Sequence, residues 1–101
     1  MIKHIVLWRL KDNAHGNTKN QNAAIIKEKL ESLRAKIPEI IKMEVGIDFS
    51  LTDDSVDIVL YSEFATIRDL NIYQTHPEHK KIMPYISESR SERRMADYEI
   101  K

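Results

Sequence analysis

The sequence predicts an α+β fold, a four-stranded antiparallel sheet with two helical segments on one face. Three observations carry this expectation. Apolar residues alternate at period two in four short segments. They recur every three or four residues in two longer ones. The segments run strand, helix, strand, strand, helix, strand. At 101 residues the chain has the length of one domain, residues 1–101. Such a domain exposes roughly 6,000 Å² and buries about two-thirds of its unfolded surface.

Residues 2–10, Ile-Lys-His-Ile-Val-Leu-Trp-Arg-Leu, are rich in β-branched and aromatic types and short enough for a strand. Both parities are apolar at its centre: His4, Val6 and Trp8 on one, Ile5 and Leu7 on the other. Residues 11–18 hold Asp12, Asn13, Gly16 and Asn17 and are expected to form a loop. A helix is expected over 18–36, where Ala23, Ile26, Leu30 and Leu33 make the apolar stripe. Pro38 closes it, because the residue before a proline is forced out of the α region. Residues 40–49 alternate Ile41, Met43, Val45, Ile47, Phe49 against Lys42, Glu44, Gly46, Asp48, which predicts a strand with one buried face. After a turn over 51–55, residues 56–64 form a strand whose centre is again apolar on both parities, Ile58 and Leu60 on one and Val59 and Tyr61 on the other. Thr66 is a candidate N-cap, with Asp69 three residues on in a capping-box pattern. Helical spacing then runs to about Thr75. His76-Pro77 interrupts it, since proline suits the first turn of a fresh helix. The second piece covers about 78–88 and carries His79, Ile82, Met83 and Ile86. Pro84 inside it predicts a kink or an early stop. Residues 91–100 close the chain as a strand.

The order β-α-β-β-α-β is the ferredoxin-like split unit. Its first and third strands lie centrally, and both helices cover one face. The strands expected at the centre are those with apolar middles on both parities. Ile5, Leu7, Val59 and Tyr61 would therefore share the uncovered face, as a patch larger than monomers usually leave in water. A second copy laying its sheet against this one buries the patch isologously. The expectation is a homodimer with face-to-face sheets, a dimeric α/β barrel.

Composition narrows the function. Lys+Arg and Asp+Glu are 16 each, so the net charge is zero, against nucleic-acid binding, which needs a surplus of cations. The hydrophobic fraction of 42% and charged fraction of 32% are those of a folded domain. No apolar run approaches a membrane span, so no membrane partner is expected. The N-terminal Met-Ile-Lys-His-Ile-Val has no basic leader or cleavage site, so no signal peptide is expected. With no cysteine there is no disulfide or thiolate chemistry, and a cytoplasmic setting is expected. The two glycines form no phosphate-binding loop, and no nucleophile elbow or paired-carboxylate motif appears.

Met-Ile-Lys-His-Ile-Val-Leu-Trp-Arg-Leu-Lys-Asp at the start, Ile37-Pro38, Met43-Glu44-Val45-Gly46, Tyr73-Gln74-Thr75-His76-Pro77-Glu78-His79 and Asp97-Tyr98 run in the order of one known family. Together they resemble the stress-responsive dimeric α/β-barrel (Dabb) domain, over essentially the whole chain. The resemblance implies a ferredoxin-like subunit that dimerises through its sheet, and a stress-associated role. Some plant members are metal-free polyketide cyclases that close a poly-β-keto thioester by aldol condensation. By that resemblance His79 matches the general base, Tyr73 its hydrogen-bonding partner, and His4 a neighbour of both. Ile58 and Leu30 stand where those cyclases carry a further histidine and tyrosine, so this pocket has fewer hydrogen bonds to offer.

Read from the residues, a half-buried His79 titrating near neutrality suits proton abstraction next to a carbonyl. Tyr73 could supply an O–H to orient it or to hold an enolate oxygen. Trp8, Val6, Ile58, Leu60, Phe64, Ile82 and Met83 are the candidate lining of an apolar cleft between sheet and helices, binding a small molecule. The same residues fit a core reading, with Tyr73 packed inside, His4 an interior histidine and His79 bonded locally around Pro77. His76 and His79 with Glu78 lack the further ligands of a metal site, so no metal and no cofactor is expected. Arg90, Arg93 and Arg94 lie among Glu88 and Glu92 and read as a solvated start to the last strand. The functional expectation is a homodimer binding a small apolar ligand, with aldol-type general-base chemistry by His79. A non-catalytic stress-associated dimer and a cofactor-free monooxygenase or isomerase of a related dimeric barrel are the alternatives, the latter by fold analogy.

Overall fold

The computed structural model describes residues 1–101. Its elements are β1 (Ile2–Leu10), β2 (Asn13–Ala14), β3 (Asn17–Thr18), α1 (Lys19–Glu31), α2 (Leu33–Lys36), β4 (Lys42–Ile47), β5 (Ile58–Phe64), α3 (Ile67–Thr75), α4 (Pro77–Ser89) and β6 (Arg90–Glu99). The main sheet is antiparallel in the order β4-β5-β1-β6, so β1 and β5 are central. This is the ferredoxin-like fold.

Period-two alternation explains the two layers. Ile2, Val6, Trp8 and Leu10 on β1 and Ile58, Leu60 and Phe64 on β5 are buried against helix residues such as Ile26, Leu30, Leu70, Tyr73 and Ile86. On the opposite face the register sets Ile5 beside Tyr61 and Leu7 beside Val59. Ala96 of β6 flanks Ile5. Those four large side chains stay half-buried in a single chain, and β4 contributes only Lys42, Glu44 and Gly46 there. Lys3, Tyr61 and Glu63 close a polar corner of this face: Lys3 Nζ donates to Glu63 Oε2 and to the Tyr61 hydroxyl, both at 2.7 Å, and Tyr61 Oη donates to Glu63 Oε2 at 2.6 Å. The accessible surface, 6,189 Å², is close to the expected figure.

Several local expectations are corrected. The segment 11–18 is a small hairpin rather than a loop. His15 and Gly16 both take positive φ, 55° and 74°, the geometry of a tight two-residue turn. The helix expected over 18–36 is divided at Ser32, whose hydroxyl donates back to the Lys29 carbonyl at 2.6 Å. Strand 40–49 contracts to β4, and only Met43 and Val45 of its apolar parity are buried. Ile41, Ile47 and Phe49 are exposed: Ile47 only borders the outer edge of α1, and Phe49 is 91% exposed. The next strand begins at Ile58, not 56. The Thr66 hydroxyl accepts from the Asp69 N–H at 3.1 Å, but the reciprocal half of a capping box is not formed. Pro84 does not stop α4, which continues to Ser89. Pro84 and Lys80, whose carbonyl loses its helical donor, both face solvent, where water can serve that carbonyl.

Candidate functional site

The helices leave β6 uncovered, and that shortfall creates a cavity. It has a volume of about 360 Å³ and is bounded by β1, β5 and β6 below and by α1, α3 and α4 above. On α4 its wall is a single helical stripe. Met83, Ile86 and Ser87, continued by Arg90, follow His79 at offsets of four, seven, eight and eleven. The His76-Pro77 break is what brings α3 and α4 to the same opening. His76 Nδ1 accepts the Glu78 N–H at 3.1 Å, and Pro77 fills the first turn. Tyr73 thus arrives from the end of α3 and His79 from the start of α4.

His4, Tyr73 and His79 all line this cavity. The ring centroids of Tyr73 and His79 are 4.6 Å apart, edge to face, and those of His4 and Tyr73 6.1 Å. Across the β1–β6 register His4 faces Asp97, and His4 Nδ1 lies 2.5 Å from Asp97 Oδ1. A ring N–H donated to a carboxylate leaves the other ring nitrogen as an acceptor when the imidazole is neutral. The hydrogen bond expected between Tyr73 and His79 is not formed. Tyr73 Oη and His79 Nδ1 are both buried and have no hydrogen-bond partner.

The surroundings hold both groups in their neutral forms. Burial lowers the His79 imidazole below its ordinary 6.5. The Gln74 carbonyl opposes this, while the Arg93 guanidinium, and His4 and His76 whenever they are protonated, add to it. Burial raises the Tyr73 phenol well above its ordinary 10, against a small downward pull from Arg93. At neutral pH the cavity therefore presents an uncharged imidazole and a protonated phenol.

Of the expected lining, Trp8, Val6, Leu60 and Met83 reach the cavity. Ile58, Phe64 and Ile82 do not. Ile58 and Phe64 are wholly buried in the core, Phe64 against Tyr73 at 5.2 Å between centroids. Ile82 lies about 100° around α4 from Met83 and packs on the core instead. Sequence reasoning overlooked Gln74, Ser87, Arg90 and Arg93 as lining residues. The arginines expected as one solvated cluster divide by face: Arg93 is solvent-exposed, as expected, yet borders the cavity with the half-buried Arg90, whereas Arg94 lies on the far face with its Nε 3.4 Å from Glu92 Oε2. Alternation along β6, which sets Arg93, Met95 and Asp97 on the helix side, is the signal that could have separated them. No three His, Cys, Asp or Glu side chains gather as a metal site, and no helix is long and apolar enough to cross a membrane.

A model of the stress responsive A/B barrel domain matches residues 2–100. No curated protein matches the chain. Among solved structures, a dimeric protein of unknown function and ferredoxin-like fold from Bacteroides fragilis is 38% identical, with TM-score 0.86 over 98% of this chain and 95% of that one. A dimeric ferredoxin-like protein of unknown function from Thermobifida fusca is 23% identical, with TM-score 0.84 over 98% and 90%. A hydroxynitrile lyase from Passiflora edulis is 17% identical, with TM-score 0.83 over 99% and 93%, a likeness of fold.

Proposed function

The chain belongs to the stress responsive A/B barrel domain family, and on that premise we propose that it works as a homodimer whose cavities bind a small organic carbonyl compound and move a proton on it. The observation that carries this reading is the pair of buried, unpartnered polar atoms beside the cavity, Tyr73 Oη and His79 Nδ1. Leaving a polar group buried and unpaired costs about 1–3 kcal/mol. Two such atoms on residues that line one cavity are most simply explained by a ligand toward which these side chains turn.

The chemistry follows from the neutral forms. The His79 imidazole accepts a proton from a carbon next to a carbonyl. The C–H electron pair moves into the carbonyl, and the enolate oxygen accepts a hydrogen bond from the Tyr73 hydroxyl. Where a second carbonyl lies within reach, the enolate carbon forms the new C–C bond. The resulting alkoxide then takes the proton back from His79. His4, braced by Asp97, offers a second acceptor on the same wall. Trp8, Val6, Leu60 and Met83 hold the apolar part of the molecule.

Dimerisation proceeds through the open sheet face. Ile5, Leu7, Val59 and Tyr61 form its centre, and the Lys3–Glu63–Tyr61 corner enters the interface with its polar atoms already paired. The similar structures described as dimeric support a dimer, and the half-buried apolar face supports this way of forming it. A stress-associated role is supported by the family's description, and a cytoplasmic setting by the absence of cysteine.

A short β-keto thioester incubated with the protein in deuterium oxide tests the reading. The protein should accelerate exchange of the α-hydrogen over buffer. His79→Ala should lose on the order of a hundredfold of that acceleration while remaining folded and dimeric. Exchange no faster than in buffer, or equal rates in wild type and variant, would remove His79 as the base.

A further inference from the structure

We propose that the molecule this cavity accepts is an organic carboxylate, its anionic group held by Arg93 and Arg90 at the solvent edge and its apolar body against Trp8 and Met83. The inference rests on the cavity reading above and specifies the class of ligand.

The charges around the cavity point one way. Its lining includes two arginines and two histidines but no aspartate or glutamate, in a chain whose net charge is zero. Elsewhere half of the cations are paired: Lys3, Lys19, Lys27, Lys36, Lys42, Lys81 and Arg94, seven of the other fourteen, each lie within 4 Å of a carboxylate. Arg90 and Arg93 form no ion pair and no side-chain hydrogen bond. The acids next to them in sequence are carried elsewhere by the strand. Glu92 is on the other face of β6, engaged with Arg94. Asp97 shares Arg93's face but lies four residues on, about 13 Å along a strand, and is taken by His4.

Arg90 is half-buried and Arg93 exposed, and both line the cavity, so a ligand can meet them at the solvent edge while its body enters the apolar interior. The positive charge of Arg93 is felt at both Tyr73 and His79. A carboxylate docked there would lie within the field of the proposed chemistry. A guanidinium offers parallel N–H donors that match the two oxygens of a carboxylate, and such charge-assisted pairs are stronger than neutral ones.

The test is a matched pair of probes of one shape, 3-phenylpropanoate and its neutral amide. Each is titrated into the full chain at pH 7 and followed by the fluorescence of Trp8, the one tryptophan. The carboxylate should bind about tenfold or more tighter than the amide, and its advantage should shrink as salt is raised. Arg93→Gln should bring the two probes to within about twofold. Arg93→Lys should retain part of the difference, because it keeps charge and loses the fork. If the wild type binds the amide as tightly as the carboxylate, or the preference survives Arg93→Gln, the carboxylate assignment is wrong and the cavity reading stands. If neither probe changes Trp8 fluorescence, the cavity reading itself fails, and this inference with it.

Discussion

Leu7→Asp places a charge at the centre of the open sheet face, where Leu7 lies between Val59 of β5 and Arg94 of β6. The side chain is half-buried in one chain, so its remaining surface is covered only when a second copy docks. Fully burying a leucine contributes about 1.5–3 kcal/mol; about half of that is left for the interface, and the two-fold axis of an isologous dimer counts each loss twice. The substitution therefore removes about 1.5–3 kcal/mol of association free energy before any cost for desolvating the carboxylate. At 1.4 kcal/mol per factor of ten, the dissociation constant should rise by about one to two orders of magnitude. Sedimentation velocity over a dilution series reads this directly, with circular dichroism confirming that the subunit is folded. Ala24→Asp, on the exposed side of α1, is the control and should leave the dimer constant unchanged. A Leu7→Asp protein that dimerises with the wild-type constant would refute the assignment of this face.

Two further outcomes concern His79 and α4. In an NMR titration the His79 ring should reach its midpoint below 6.5, and Arg93→Gln should move that midpoint upward by removing a neighbouring positive charge; a wild-type midpoint at or above 6.5 would contradict the burial argument. The linked stability has a definite sign. The unfolded chain takes up the His79 proton first as pH falls, so this contribution is constant above about 6.5 and is lost between 6.5 and the lower folded value. His79→Ala should remove that slope from urea-denaturation free energies. Pro84→Ala restores the N–H that the Lys80 carbonyl lacks in α4 and should stabilise the protein by about 1–3 kcal/mol. A urea midpoint that stays put or falls would show that the proline is not a weak point of the helix.

Local periodicity made the architecture legible. The alternation of β1 and β5 placed His4 with Val6 and Trp8 under the helices, and Ile5, Leu7, Val59 and Tyr61 on the open face, because a side chain's face in a strand follows from its position alone. Likewise Pro38 ended the first helical stretch, leaving Ile37 extended at φ −121° and ψ 100°. Element ends were less legible. Ser32 and β4 were settled by competition between a side-chain hydrogen bond or missing cover and otherwise good periodicity. Phe49 illustrates the limit, since it continues the buried parity of β4 yet lies outside the packed layer.

His4, Tyr73 and His79 could be proposed as neighbours from the chain alone. That Asp97 braces His4, that Tyr73 and His79 meet edge to face without a hydrogen bond, and that Arg93 turns inward while Arg94 turns outward required the folded molecule. The amino-acid order by itself determined which side of each strand and helix is apolar, because those repeats are properties of a few consecutive residues. Only the tertiary structure decided that the helices stop short of β6 and open a cavity there. The spacing between layers, and the pairing of charges distant in sequence, depend on how all the elements pack at once.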